Sequence, residues 1–108
     1  MAPTAPTSAY PRVDWEAFLA RRPDDEAVLD VRRADEYQAS HIVGAVNIPL
    51  HEVLTRMDEV PTGPVWVHCG SGYRAGVAAS LLQRAGKDPI HVDAAFPDAE
   101  GAGVSLEH

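Results

Sequence analysis

Hydrophobic positions along the chain follow two periods, and the two alternate. Trp15, Phe18 and Leu19 lie at i, i+3 and i+4, which is the spacing of one buried helical face. Four short apolar runs, each bounded by turn residues, predict strands at residues 27–31, 45–48, 65–68 and 89–93. Strands that alternate with helices favour parallel pairing with crossover connections.

The longest helical repeat predicts one amphipathic helix over residues 50–60, which ends before Pro61 and Gly63. Its apolar positions repeat at i, i+3, i+4, i+7 and i+10, and they are Leu50, Val53, Leu54, Met57 and Val60. We expect all five side chains to face the core.

Further helices are predicted at residues 34–39 and 75–85, and we expect the second one to end at Gly86, because glycine readily adopts the left-handed conformation of a helix C-terminus. Pro97 is placed to open a last helical turn. The pattern therefore predicts an α/β fold with a central parallel sheet of about four to five strands flanked by helices.

The two ends differ in composition from the rest of the chain. Residues 1–11 consist mainly of Ala, Pro, Thr and Ser, which bury too little apolar surface to fold, so we expect a flexible tether there. Residues 106–108, Leu-Glu-His, look like the remnant of a purification tag. We expect the folded domain to span residues 12–105.

Composition and charge narrow the class of protein. A length of 108 residues with 45% hydrophobic residues suits one globular domain. The net charge of −7 argues against nucleic acid and anionic membranes as partners, because both are bound through clustered Lys and Arg. No apolar window approaches the roughly 20 residues of a membrane span. One cysteine excludes an internal disulfide and favours a cytoplasmic location.

That single cysteine, Cys69, follows a predicted strand and precedes a predicted helix. In parallel α/β sheets, ligands bind beyond the carboxyl ends of the strands. The loop that follows contains two glycines, so its backbone N–H groups can turn toward one point, and the helix start adds a positive dipole. Such a loop stabilises an anion, and the nearest candidate is the thiolate of Cys69 itself.

Three motifs in order resemble the rhodanese sulfurtransferase family. They are the D-V-R turn at residues 30–32, the H-I-x-G-A-x-N-I-P segment at residues 41–49, and the C-x-x-G-x-R loop at residues 69–74. The resemblance covers roughly residues 27–87. It implies a three-layer fold around a parallel sheet, in which the loop cysteine carries a sulfur atom as a persulfide.

The resemblance assigns roles residue by residue. It implies that Cys69 is the nucleophile and sulfur carrier. The substrate-binding loop would then consist of Gly70, Ser71, Gly72, Tyr73 and Arg74. Arg74 would either contact an anionic substrate or pair with a carboxylate. The supporting residues would be Asp30, Arg32 and Glu36, of which Arg32 and Glu36 would either have a structural role as a pair or contact substrate. His41 and Asn47 would fix turns through hydrogen bonds.

The resemblance also implies partners and a mechanism. Small sulfur-containing anions such as thiosulfate would donate sulfur, and thiols or cyanide would accept it, with no metal and no organic cofactor.

The chain departs from the family pattern after the fourth predicted strand. The family often has a glycine pair and a later tryptophan where this chain has Ala94, Ala95 and Ala99. The C-terminal part and residues 10–50 are also similar to rhodanese domains fused to metallo-β-lactamase-fold hydrolases in bacteria, which implies a fused or associated hydrolase domain.

Several alternatives compete with sulfur transfer. Rhodanese-related phosphatases and arsenate reductases have five residues between cysteine and arginine, whereas four separate Cys69 from Arg74 here. Rhodanese-like domains without the cysteine serve as non-catalytic docking or regulatory modules. A G-x-G-x-x-A match at residues 70–75 is not followed by the two halves of a dinucleotide fold. His68 points away from Cys69 on a strand and is expected to be a core or surface histidine.

Overall fold

The central sheet is parallel throughout in the computed structural model, which describes residues 10–108. Its strands are β1 (Arg12–Val13), β2 (Ala27–Asp30), β4 (Val46–Asn47), β5 (Pro64–His68) and β6 (Asp88–Val92). Their order is β1-β6-β5-β2-β4, and every neighbouring pair is parallel. The predicted α/β fold with a parallel sheet flanked by helices is confirmed.

Within residues 10–108, three α-helices lie between these strands, namely α1 (Trp15–Arg21), α2 (Ala34–Ala39) and α3 (Tyr73–Arg84), and α4 (Ala99–Ala102) follows β6. Asp14 caps α1 by accepting a 2.9 Å hydrogen bond from the backbone N–H of Ala17. Helix α3 ends where the sequence predicts, because Gly86 adopts a φ of +85° beyond its last turn. None of the helices within residues 10–108 has the length and apolar character needed to cross a bilayer.

Hydrophobic side chains from the sheet form one core on each face. Val65 and Val67 of β5 pack with Leu29 and Leu82 in the core beneath α3. Trp66 points to the other face and packs with the α1 residues, chiefly Phe18. This alternation along β5 places consecutive residues in different cores, so His68 and Cys69 lie on opposite faces of the sheet.

The prediction of one α-helix over residues 50–60 was wrong. The segment contains two short 3₁₀ helices, Leu50–Glu52 and Met57–Glu59, joined by turns. Residues three apart share a face in 3₁₀ geometry, so Val53 and Val60 stay buried, whereas Leu54 is 66% exposed. Leu50 and Met57 are half-buried against the same core.

The ends of the domain contact its body. Pro11 precedes β1, and its carbonyl accepts a 2.8 Å hydrogen bond from the His91 N–H. At the other end, β7 (Leu106–Glu107) pairs antiparallel with β3 (His41–Ile42) in a separate two-stranded sheet. Residues 1–9 of the predicted tether lie outside the described residues, and the assignment of residues 106–108 to a tag stays a prediction.

His68 is a core histidine with an unusual environment. It is fully buried, it stacks on Phe96 with ring centroids 5.7 Å apart, and it meets the edge of Trp15. Neither ring nitrogen has a hydrogen-bond partner within residues 10–108, and Nε2 lies 3.6 Å from Asp30 Oδ2. Burial lowers the pKa of His68 to about 4, and the charge of Asp30 opposes that shift only in part.

The buried neutral His68 predicts a loss of stability in mild acid. Between pH 6.5 and 4 the unfolded chain binds a proton at this residue and the folded chain does not. The free energy of unfolding therefore falls by up to about 1.4 kcal/mol for each pH unit of acidification through this range. We expect His68→Phe to reduce that slope in urea unfolding experiments.

His51→Gln is the matched control for this measurement, because the His51 side chain is 76% exposed. It should leave the slope of stability against pH as it is in the original chain. Equal slopes for the original chain and His68→Phe would contradict the prediction.

Candidate functional site

The candidate site lies at the carboxyl ends of β2 and β5, which are adjacent and in register. Asp30 of β2 pairs with His68 of β5, so the residues that follow each strand emerge at the same edge of the sheet. Asn47 of β4 joins this edge and donates hydrogen bonds of 2.9 and 3.0 Å to the carbonyls of Asp30 and Arg32. Asn47 thus fixes the turn that follows β2, which is the role that the resemblance implies.

The Cys69 sulfur lies inside the curve of the loop that joins β5 to α3. Sγ accepts hydrogen bonds from the backbone N–H groups of Gly72, at 3.0 Å, and Ala75, at 3.2 Å. The side chain has no accessible surface. Donors directed at a sulfur favour its anionic form, and the start of the twelve-residue helix α3 adds its dipole.

Gly72 makes this curve possible. Its φ of +104° and ψ of −24° place it in the left-handed region at the start of α3. A Cβ at this position would lie 2.5 Å from Oδ1 of Asp93, which is held by a 2.8 Å ion pair with Arg12. Glycine is required here both by the backbone angle and by the space.

Ala75 is a donor that the sequence did not predict. The predicted helix began at Ala75, whereas α3 begins two residues earlier, at Tyr73. The first N–H groups of a helix have no partner within that helix, and Ala75, the third residue of α3, is among them, so its N–H is free to point at the sulfur. Recognising Gly72 as the residue that precedes the helix would have revealed this donor.

Arg74 pairs with Glu36 across the site. Nη1 donates to Oε1 at 2.8 Å and Nη2 donates to Oε2 at 3.3 Å. The guanidinium lies against Gly70, since a Cβ there would be 2.8 Å from Nη2. Of the two partners that the sequence left open for Arg74, the structure contains the carboxylate.

Glu36 connects this ion pair to α2. Its Oε1 also accepts a 2.9 Å hydrogen bond from the backbone N–H of Arg33 at the start of that helix. The hydrogen bond from Arg74 is the main cause that lowers the Glu36 pKa to about 2, while burial acts in the opposite direction. Glu36 is therefore charged at neutral pH and fixes Arg74.

Asp30 and Arg32 form a second ion pair, which is buried. Arg32 Nη2 donates at 2.7 Å both to Asp30 Oδ2 and to the carbonyl of Ser40. The Arg32 guanidinium lies 3.8 Å from the ring centroid of Phe96, and the Phe96 N–H donates at 2.8 Å to the Gly70 carbonyl. The Asp30–Arg32 pair therefore contacts Phe96, and the N–H of Phe96 in turn holds the Gly70 carbonyl of the loop.

The remaining loop residues face outward. Ser71 is exposed, and the Tyr73 side chain is 79% exposed at the rim. His41 lies away from the loop and bonds the Tyr37 carbonyl through Nδ1 at 2.8 Å. Among the described residues, no cluster of three His, Cys, Asp or Glu side chains has an arrangement suited to a metal ion.

Comparison with known proteins identifies relatives of this chain. The family model described as "Rhodanese-like domain" matches residues 15–98. YrkF of Bacillus subtilis (strain 168) is 37% identical over 98 residues, which are 87% of this chain and 53% of YrkF. The thiosulfate sulfurtransferase PspE of Escherichia coli (strain K12) is 36% identical over 81 residues, which are 68% of this chain and 78% of PspE.

A solved structure agrees with these relatives at the level of the fold. The crystal structure of a rhodanese-related protein from Thermoplasma volcanium matches with a TM-score of 0.80 and 23% identity, and the match covers 91% of this chain and 98% of that one. The chain spans about half the length of YrkF and of a second Bacillus subtilis relative, YqhL.

The strained position of Gly72 gives a prediction with an internal control. Gly63 also has a positive φ, of +80°, but a Cβ there meets nothing within 4 Å. Gly63→Ala should cost about 1–2 kcal/mol of unfolding free energy for the left-handed backbone alone. Gly72→Ala should cost more, because the carboxylate of Asp93 must also move, and urea unfolding measures the difference.

Adding Asp93→Ala identifies the source of that difference. The extra cost of Gly72→Ala over Gly63→Ala should shrink when Asp93 is truncated, because the atom that blocks the Cβ is gone. An equal loss of unfolding free energy in the two glycine variants would show that the closeness of Asp93 to Gly72 does not affect stability.

The lowered pKa of Glu36 gives a second prediction, which concerns the stability of the fold between pH 4.5 and 2. A carboxyl group with a lowered pKa stabilises the fold above its ordinary value of 4.5, and that contribution is lost as the pH falls toward 2. Glu36→Gln should therefore weaken the fold at neutral pH and flatten the loss of stability between pH 4.5 and 2. Urea unfolding across this range, with the exposed Glu100→Gln as control, measures both effects. An unchanged slope in Glu36→Gln would exclude the ion pair as its cause.

Proposed function

The chain belongs to the rhodanese-like domain family, and on this basis we propose that it is a sulfurtransferase that carries sulfane sulfur as a persulfide on Cys69. The family and its sulfurtransferase relatives support the general class of reaction. The donor would be thiosulfate or another persulfide, and the acceptor a thiol or cyanide.

One observation carries this proposal: the Cys69 sulfur accepts two backbone N–H bonds at the start of a helix. The donors stabilise a negative charge on the sulfur without a neighbouring base. When a second sulfur is attached, the charge moves to the outer atom of the persulfide, and a glycine-containing loop at a helix start is suited to hold that charge as well. His68 is buried on the opposite face of the sheet, so it does not serve as that base.

The chemistry balances in two displacements. The Cys69 thiolate attacks the outer sulfur of thiosulfate, the S–S bond of the donor breaks, and sulfite leaves with the electron pair of that bond. An acceptor thiolate or cyanide then attacks the outer sulfur of the Cys69 persulfide. The new S–S or C–S bond forms, the persulfide bond breaks, and Cys69 returns as a thiolate. Neither step requires an external oxidant or a metal.

Access to the sulfur involves the Arg74–Glu36 pair. Cys69 has no accessible surface, so the loop or its neighbours must move before a donor reaches Sγ. Arg74 is the cation of the loop, its side chain is 30% exposed, and it lies against Gly70. We propose that an anionic donor draws Arg74 partly away from Glu36, and that the N–H groups of residues 70–74 receive the transferred sulfur.

A direct test is possible because the chain contains one cysteine. The protein is incubated with thiosulfate, freed of excess reagent and weighed by intact mass spectrometry, and thiocyanate is measured after addition of cyanide. We expect a gain of one sulfur atom that cyanide removes with formation of thiocyanate. Cys69→Ser should lose both signals while it keeps the unfolding transition of the original chain.

Two other outcomes would contradict the proposal. A folded protein that gains no sulfur from thiosulfate or from a small-molecule persulfide, and forms no thiocyanate, would favour a docking module. Hydrolysis of p-nitrophenyl phosphate that disappears in Cys69→Ser would favour a phosphatase in spite of the four-residue spacing between Cys69 and Arg74.

A further inference from the structure

His91 lies outside the motifs that carry the family resemblance, yet it contacts the active loop. It belongs to β6, its side chain is buried, and its Nε2 lies 2.9 Å from the carbonyl oxygen of Gly72. A carbonyl oxygen only accepts, so Nε2 carries the hydrogen and donates it. The bond joins residues that are 19 positions apart, across two elements of the fold.

The acceptor of this bond is the residue whose N–H binds the sulfur. Gly72 donates to Cys69 Sγ through its N–H on one side of its Cα and accepts from His91 through its carbonyl on the other side. The same carbonyl accepts the first hydrogen bond of α3, from the N–H of Gly76 at 3.0 Å, and its two lone pairs allow both. His91 thus anchors the peptide plane that follows Gly72, which limits how far the residue that carries the N–H donor can turn.

The fold leaves a space that fits this histidine. Gly76 of α3 faces the ring, and a Cβ there would lie only 3.2 Å from His91 Cε1. The ring of Tyr10 covers the other side, edge to face, with centroids 6.3 Å apart. Tyr10 is held in turn by its hydroxyl, which lies 3.1 Å from Ser80 Oγ and donates to the Gly76 carbonyl at 3.3 Å.

We propose that His91 is a positioning residue for the sulfur-transfer reaction, because its Nε2–H holds Gly72 in the conformation that directs the Gly72 N–H at the Cys69 sulfur. This inference rests on the proposed function for its role in transfer, and on the geometry alone for its effect on the sulfur. Without the bond, the Gly72 carbonyl keeps only the Gly76 N–H as a partner. Glycine rotates its peptide groups more easily than other residues, so we expect one of the two donors to be lost from Sγ for part of the time.

The experiment compares three substitutions. His91→Leu removes the donor, and His91→Gln keeps an N–H at the end of a side chain of similar reach. His41→Leu is the matched control, because His41 also bonds a backbone carbonyl but lies in the separate two-stranded sheet. Each protein is measured for thiolate ultraviolet absorbance at neutral pH, for its rate of alkylation by iodoacetamide, and for kcat and KM with thiosulfate and cyanide.

We expect His91→Leu to be alkylated about three- to tenfold more slowly than the original chain, which corresponds to the loss of one hydrogen bond. Its thiolate absorbance and kcat should fall with the alkylation rate, while KM for thiosulfate changes little. His91→Gln should recover most of each loss, and His41→Leu should match the original chain. Because Cys69 is fully buried, a looser loop alone would speed its alkylation. A folded His91→Leu with unchanged or faster alkylation and unchanged absorbance would therefore overturn the proposal, as would an equal loss in His41→Leu.

A second substitution keeps the test decisive if His91→Leu does not fold. Gly76→Ala keeps the histidine at position 91, but the new Cβ displaces its ring. Gly101→Ala in α4 places a Cβ in open space and serves as the control. Alanine is favoured over glycine inside a helix, so neither protein should be less stable for reasons of helix propensity. Slower alkylation in Gly76→Ala alone supports the proposal, and equal rates in the two contradict it.

Failure of the proposed function and failure of this inference give different results. Alkylation and thiolate absorbance report on the sulfur whether or not the protein transfers sulfur. A chain that forms no thiocyanate but shows the His91-dependent alkylation would reject sulfur transfer and keep the positioning role.

Discussion

The two hydrogen bonds from the backbone N–H groups of Gly72 and Ala75 to the Cys69 sulfur are the contacts on which the site depends. They exist because the chain turns through the left-handed region at Gly72 and enters α3 at once. The donors are peptide groups, so they provide a positive field without a positively charged side chain. A protein with a net charge of −7 can therefore stabilise an anion at one buried point of its fold.

Three other parts of the fold hold that turn in place. Glu36 of α2 binds Arg74, the N–H of Phe96 binds the Gly70 carbonyl, and His91 of β6 binds the Gly72 carbonyl. Each contact reaches a different loop residue from a different element. The loop itself is short and contains two glycines, so its conformation is determined by these distant partners as much as by its own sequence.

The sequence was informative where the structure follows a local pattern. The period of the apolar residues predicted the parallel sheet and α3, and the Cys69 loop was located from a strand end, two glycines and a helix start. The prediction of an α-helix over residues 50–60 was wrong because residues three apart share a face in both α and 3₁₀ helices. Only the exposed Leu54 distinguishes the two. Strands as short as β1 and β3 leave no period to detect.

Partners far apart in sequence were beyond prediction for another reason. Arg74 and Glu36 are separated by 38 positions, and either could have paired with several other charged residues. Which residues meet is decided by the order β1-β6-β5-β2-β4, since that order places β2 and the start of α2 on one side of the loop and β6 on the other.

Glu36 and His68 each keep a single charge state near neutral pH. Arg74 lowers the Glu36 pKa to about 2, so Glu36 remains a charged partner well into the acid range. Burial lowers the His68 pKa to about 4, so His68 adds no positive charge beside the Asp30–Arg32 pair until the pH falls to about 4. The backbone donors do not titrate at all. What the backbone donors and Glu36 contribute to the field at the sulfur is therefore set by their geometry, and a change in that contribution requires a movement of the loop.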